Sequence, residues 1–359
     1  MKSITFLMPG GSPKPIGGYK VVYEYANRFV QDGYDVHIMM PMSLSFWESN
    51  VVEKLKVVPR YFQNLLTGKF KPRWFPLDER VKLHLVPSLL ECFAPRTDAY
   101  IATSIHTSEY LNRYKRVSNN CKFYLIQDFE NWHTSDERVI ETYKFDMHKI
   151  CISNWLAEIV RSAGVGCTVI QNGFDFEKFR LTLPIDEKNK FSIAMMYHKD
   201  ARKGCVYSFE ALSIVKQRYP QLRVELFGAS KPSEQLPNWC CFHLMPSAEL
   251  HNRIYNDSAI YIASSIMEGW GLTIGEAMMC GAAIVCSDTD GFKEMVEDGH
   301  SALISPIKDP AHMAENIIRL IEDDTLRCRI ATNGYNAIQK FTWRGSYLKL
   351  KTIIGEHTA

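Results

Sequence analysis

The chain has 359 residues, 46% of them hydrophobic and 23% charged, with a net charge of +2. That length suffices for two domains that each bury a core, and a charge so close to neutral argues against nucleic acid as a partner. No apolar run approaches the length of about eighteen residues that reads as a membrane span, and the first nine residues lack a signal-peptide layout, so the expected location is the cytoplasm.

The ten cysteines form no CxxC pair and show no His/Cys metal spacing, so neither disulfides nor structural zinc is expected. Charge is uneven along the chain. Residues 1–120 carry 16 Lys and Arg against 10 Asp and Glu, whereas the remainder carries 26 against 30. The asymmetry points to an anionic surface or ligand facing the first half.

A short apolar run at 4–8 predicts a buried strand, followed by a loop with Gly10, Gly11, Gly17 and Gly18. Apolar residues then recur at helical spacing over 19–31, and Asp32-Gly33 stops the helix before a strand at 36–40. Residues 61–75 interleave aromatic and basic side chains, which suits a membrane-surface segment or a partly buried excursion of the first domain equally well. Further strands are predicted at 83–86, 99–103, 122–127, 149–153 and 168–171, separated by helix-length segments.

After a polar stretch at 180–190 the pattern restarts, with strands at 191–196, 223–227, 241–244, 260–263, 283–286 and 302–304 and helices at 204–219, 248–257 and 310–323. Alternation of this kind predicts an α/β fold of two Rossmann-like, doubly wound domains facing a central cleft. Their expected limits are 1–180 and 181–345, with a C-terminal helix in 346–359 packing back on the first domain. Ligands of such sheets bind beyond the carboxyl ends of the strands.

The densest motif lies there. Residues 264–278 read Ser-Ser-Ile-Met-Glu-Gly-Trp-Gly-Leu-Thr-Ile-Gly-Glu-Ala-Met. The Gly-rich turn opens a helix from about 272 to 280, whose free N–H groups and dipole favour a diphosphate. Glu268 sits in the turn and Glu276 about one helical turn on, where carboxylates suit sugar hydroxyls. The plainer reading makes Glu276 a first-turn glutamate complementing the dipole and Glu268 a solvated loop residue.

Arg202-Lys203-Gly204 places two cations at a helix start, where they oppose the dipole and therefore suit an external anion. A solvated charge pair is the alternative. Residues 172–175, Asn-Gly-Phe-Asp, read as a turn, and Gln127-Asp128-Phe129-Glu130-Asn131-Trp132-His133 as a polar cluster at a strand end in which any acid could serve as a base. The glycine loop ending in Gly17-Gly18 fits neither a dinucleotide fingerprint nor a P-loop.

Together, Gly17-Gly18, Asn172-Gly173-Phe174-Asp175, Lys203-Gly204, Phe227-Gly228, the Glu268-to-Glu276 block, Gly281 and Glu294 resemble retaining glycosyltransferase family 4, a GT-B family of nucleotide-sugar-dependent enzymes. The resemblance implies that Glu268 contacts donor-sugar hydroxyls and Glu276 the ribose. It implies that backbone around Gly271, Leu272 and Thr273 holds the diphosphate, that Lys203 neutralises it, and that Gly17 and Gly18 let the first domain approach the phosphates. Gln127, Asp128 and Asn172 are expected at the substrate, and no cofactor or divalent metal is implied.

Two positions depart from the pattern. His198 stands where relatives often have Arg, leaving Arg202 as a substitute, and Gln127 or Asp128 stands where they often have His, with His106 and His133 nearby. The resemblance implies transfer of a sugar to a glycan or lipid-linked acceptor in cell-surface polysaccharide synthesis, and the basic first half with the segment 61–75 adds the expectation of peripheral attachment to an anionic inner membrane face. The competing readings are a sugar phosphorylase or epimerase of the same fold and a non-catalytic nucleotide-sugar or glycan-binding protein.

Overall fold

The computed structural model describes residues 2–44, 51–132, 134–232 and 235–358, and of residues 51–54 the backbone alone. The chain divides into two compact units, Met1–Asn172 with Trp343–Ala359, and Gly173–Thr342.

The first unit is built on a seven-stranded sheet. Its strands are β1 (Ser3–Leu7), β2 (Asp35–Pro41), β3 (Lys82–Val86), β4 (Ala99–Ala102), β5 (Lys122–Ile126), β6 (His148–Cys151) and β7 (Cys167–Val169). They run parallel in the order β3-β2-β1-β4-β5-β6-β7. Helices α1 (Gly17–Gln31), α2 (Val51–Thr67), α3 (Ile105–Asn112), α4 (Asp136–Tyr143) and α5 (Asn154–Ser162) link them. β1 and β4 lie side by side although α1, β2, α2 and β3 intervene, so the strand order reverses between them. The loops after these two strands therefore diverge and leave a crevice at the carboxyl edge.

The second unit repeats the scheme with a six-stranded parallel sheet: β8 (Ser192–Met196), β9 (Arg223–Gly228), β10 (Cys240–Leu244), β11 (Ile260–Ala263), β12 (Ala283–Ser287) and β13 (Ala302–Ser305). The order β10-β9-β8-β11-β12-β13 reverses between β8 and β11. Helices α6 (Cys205–Arg218), α7 (Ala248–Asp257), α8 (Leu272–Met279), α9 (Asp290–Lys293), α10 (Pro310–Glu322) and α11 (Asp324–Ile338) complete it. Ile193, Val224, Leu226, Ile260, Ile262 and Val285 of the sheet pack with Leu212, Val215, Ile317 and Leu320 of α6 and α10 in one core.

The limits of the units differ from those expected at 180 and 346, for a local reason. Phe174 N–H donates to the Phe341 carbonyl at 3.0 Å and Arg180 N–H to Asn252 Oδ1 at 3.0 Å, so residues just after Asn172 already pack within the second unit. Helix α12 (Trp343–His357) belongs to the first unit. There Trp343 meets Tyr25 edge-on at 5.7 Å, Tyr347 meets Phe29 at 4.9 Å, and the Lys351 ammonium donates to Asp32 at 2.6 Å.

The stretch 180–190, polar in sequence, contains a buried cation. Lys188 Nζ donates to the carbonyls of Tyr255 (3.2 Å), Ser258 (3.3 Å) and Cys280 (2.6 Å). It thereby ties the C-terminal ends of α7 and α8 to the entry of β11. Carbonyls at helix ends require a donor when buried, and one ammonium supplies three.

Candidate functional site

The strand-order reversal of the second unit sets two loops against each other. Beyond β8 the chain makes a short turn at Ala201–Lys203 and enters α6 through Gly204, at φ 60°. A Cβ on residue 204 would lie 1.9 Å from the Ser264 carbonyl oxygen, so only glycine permits this approach of the two loops. Ser264 Oγ donates to the Gly204 carbonyl at 2.6 Å and lies 2.6 Å from Ser208 Oγ, while Ile266 N–H donates to the Arg202 carbonyl at 2.7 Å.

This clamp fixes the Lys203 side chain. Its Nζ lies 2.8 Å and 2.7 Å from the two carboxylate oxygens of Glu268, and Ser265 Oγ donates to the same carboxylate at 3.0 Å. The side chains of Lys203 and Glu268 are 24% and 16% exposed, so neither is a solvated surface charge. Partial burial strengthens the attraction relative to an exposed pair, whose worth is about 0–1 kcal/mol.

Helix α8 begins beside them at Gly271, with φ 100° and no capping side chain. A Cβ there would lie 2.7 Å from the Phe292 ring. The first turn of α8 holds no acidic residue. Glu276 lies one turn in, only 6% exposed, and accepts a hydrogen bond from Tyr255 OH at 3.2 Å. The plainer readings of both glutamates are thereby set aside. A small cavity of about 20 Å³ is lined by Lys203, Ser265, Glu268, Thr273 and Phe292 among others. Of the three residues Gly271, Leu272 and Thr273, Thr273 lines this cavity with the ion pair, and Gly271 and Leu272 precede it at the start of α8.

The neighbouring basic residues have other partners. The Arg202 guanidinium is bound to the Asp200 carboxylate, with Nε 3.1 Å from Oδ2. His198 Nδ1 accepts the Asp200 N–H at 3.0 Å. Burial, and next the charge of Lys203, push the His198 imidazole below its ordinary range, which favours the neutral ring.

In the first unit, Gly17 opens α1, whose N-cap Ile16 supplies no capping side chain. Gly18 lies against Gln127: a Cβ at 18 would be 3.4 Å from Gln127 Oε1, a buried oxygen with no hydrogen-bond partner among the described residues. Asp128 accepts the Phe129 N–H at 2.9 Å. Asn172 is buried, and its Oδ1 likewise lacks a partner among the described residues. His106 lies in the first turn of α3, and His133 lies outside the described residues.

The acid that sequence reasoning did not single out is Glu130. Its Oε2 accepts the N–H of Ile105, the first residue of α3, at 2.8 Å. Burial above all, and also the charge of Asp128, raise its pKa to about 8 despite that bond, so the carboxyl can hold a proton at neutral pH. Nothing in residue spacing distinguishes Glu130 from Asp128. A larger cavity of about 640 Å³, bordered by Arg96, Asp98, Arg116 and Cys121, lies at the amino ends of β4 and β5, the sheet edge opposite Gly17 and Gly18.

Residues 175–337 match the family model described as glycosyl transferases group 1, a stretch wholly inside the second unit. Among curated proteins, the phosphatidyl-myo-inositol mannosyltransferase of Mycobacterium tuberculosis is 26% identical over 199 residues, covering 51% of this chain and 52% of the relative. The N,N'-diacetylbacillosaminyl-diphospho-undecaprenol alpha-1,3-N-acetylgalactosaminyltransferase of Campylobacter jejuni is 24% identical over 216 residues, covering 54% and 56%. The chain spans about half the length of the curated relatives it matches. Among solved structures, Anabaena HepE in complex with UDP and glucose aligns with a TM-score of 0.74 and 20% identity over 99% of this chain and 100% of that one. Likeness at that identity carries the fold: two parallel-sheet, Rossmann-like α/β domains of the GT-B type.

Glu130 generates a pH prediction. A carboxyl raised from 4.5 to about 8 contributes stability that is full below 4.5 and is lost as pH rises through 8. Melting curves of the parent and of Glu130→Gln between pH 5 and 9 should converge or cross, the parent losing ground as pH rises. Parallel curves would show that Glu130 titrates normally.

Proposed function

We propose that the chain is a retaining glycosyltransferase that moves a hexose-type sugar from a nucleotide diphosphate to a glycan or lipid-linked acceptor. The Lys203–Glu268 pair beside the uncapped start of α8, inside the stretch that matches the group 1 model, carries this reading. An ammonium and a helix N-terminus can share a diphosphate, and a carboxylate 2.7 Å from that ammonium is placed for sugar hydroxyls next to it. The names of the relatives, which specify transfer to phosphatidylinositol and to a diphospho-undecaprenol-linked sugar, support a lipid-linked acceptor, and a role in cell-surface polysaccharide synthesis is part of the same proposal.

In this reading Glu268 binds hydroxyls of the donor sugar, Glu276 the ribose, and the N–H groups around Gly271, Leu272 and Thr273 the diphosphate. Lys203 neutralises the charge that develops as the bond to the leaving phosphate breaks, and such stabilisation is usually the largest single contribution to catalysis. The acceptor oxygen attacks from the face the diphosphate leaves and passes its proton to the departing phosphate oxygen, which retains configuration and uses no protein nucleophile. Gly17, Gly18, Gln127, Asp128 and Asn172 are assigned to substrate binding by the first unit. Arg202 and His198 support the Lys203 loop through Asp200. Charge neutralisation is assigned to Lys203 and the helix N-termini, with no divalent metal in the scheme.

A second element of the proposal is contact with an anionic membrane face. Leu55, Val58, Phe62, Leu65 and Leu66 form an exposed apolar face on α2, with Lys56, Arg60, Lys69 and Arg73 exposed around it. The remainder of the segment behaves differently: Phe70 is buried, Tyr23 packs against Trp74 and Phe75, and Trp74 Nε1 donates to the Ser12 carbonyl. No helix among the described residues is long and apolar enough to cross a membrane.

With a panel of nucleotide sugars and lipid-linked acceptors, Lys203→Ala should slow nucleotide release by about 10²–10³-fold while the chain stays folded. Unimpaired release would remove Lys203 from the mechanism, and donor binding by the parent without any transfer would favour a sugar-binding protein. In flotation, the chain should rise with anionic liposomes at low salt and detach at high salt. Failure to co-float at low salt would count against the membrane contact.

A further inference from the structure

The sequence shows no conventional His/Cys metal spacing, yet the fold assembles a mixed donor set far from the Lys203 loop in sequence. β9 and β10 pair in parallel with Cys241 opposite Glu225 and His243 opposite Phe227. Side chains alternate along a strand, so Cys241 and His243 point to one face and Glu225 to the same face from the neighbouring strand. The other face carries Val224 and Leu226 into the core.

The three donor groups are close. His243 Nε2 lies 2.6 Å from Glu225 Oε2, Cys241 Sγ lies 3.5 Å from His243 Nε2, and one ligand atom from each residue falls within 4.8 Å of the others. Ligands at adjacent tetrahedral corners around zinc are separated by about 3.3–3.8 Å, given bonds of about 2.0–2.3 Å. Cys241 with His243 already has that spacing, and Glu225 with His243 must open by roughly an ångström of side-chain movement. The His243 and Glu225 side chains are 22% and 29% exposed and Cys241 is exposed, so an ion can reach the set directly from solvent.

We propose that Glu225, Cys241 and His243 bind a borderline-soft divalent cation, zinc in the first place, through one thiolate, one imidazole and one carboxylate, with the fourth corner open to water or another ligand. Thiolate with imidazole selects zinc or its neighbours over magnesium and calcium, which prefer all-oxygen sets. The thiol S–H bond breaks on binding, an S–metal bond forms, and the proton passes to solvent. The ligands bridge the outermost pair of strands on one side, and β10 is an edge of the sheet, with β9 as its only strand neighbour among the described residues. A bound ion therefore acts as a cross-strand tie on an edge strand of the sheet.

The plainer alternative is a Glu225–His243 ion pair with a bystander thiol. Titration of the metal-stripped full chain with Co²⁺ separates the two. One equivalent should bind with a thiolate-to-cobalt charge-transfer band in the near ultraviolet, and Zn²⁺ should displace it. Cys241→Ser and His243→Ala should each abolish the band, whereas Cys240→Ser, one residue away on the core-facing side, should keep it. Zn²⁺ should also raise the Tm of the parent and leave that of Cys241→Ser unmoved. Absence of the band in a folded parent, or its persistence in Cys241→Ser, would overturn the proposal.

Discussion

The ion pair between Lys203 and Glu268 depends on two loops being held at contact distance, and that contact depends on the missing side chain of Gly204. Ser264 exploits the gap by bonding to the Gly204 carbonyl and lying against Ser208. Any Cβ at 204 would separate the loop after β8 from the loop after β11 and carry the ammonium away from the carboxylate. The sheet supplies the other half of the constraint. Because strand order reverses between β8 and β11, their carboxyl ends are adjacent while their onward helices part. The site is thus a consequence of topology first and of side-chain chemistry second.

The first unit has the same geometry at its own reversal, between β1 and β4. Gly17 and Gly18 follow β1, and Ile105, which donates to Glu130, follows β4. Both units open a helix without a capping side chain at this edge, at Ile16 in one and Gly271 in the other. Uncapped N–H groups are costly unless water or a ligand accepts from them, so their recurrence at the two reversals is a chemical regularity as well as an architectural one.

Much of this was legible in the sequence because parallel strands buried on both faces read as short apolar runs, and every strand of the two sheets overlaps such a run. Helices α1, α6, α7, α8 and α10 were legible by period or by their opening glycines, whereas α3, α4 and α5 registered only as helix-length gaps. Lys203 and Glu268 were singled out, each for a ligand, but their pairing is a contact across 65 positions that no local pattern encodes. Burial was the other hidden quantity. It raises the pKa of the Glu130 carboxyl, converts Lys188 from a linker charge into a buried tie, and places Glu276 beyond the reach of a simple dipole argument. The alignment of Glu225 with Cys241 and His243 is likewise a matter of register between strands.

If the ion pair is the heart of a donor site, a nucleoside diphosphate should compete with Glu268 for the ammonium of Lys203. A crystal structure of the chain soaked with UDP, GDP or ADP reads this outcome without any knowledge of the acceptor. The expected result is a diphosphate within hydrogen-bond distance of Lys203 Nζ and of the N–H groups that open α8, with the ribose beside Glu276. A diphosphate bound elsewhere in the chain, or one that leaves Lys203 and α8 untouched, would contradict the account.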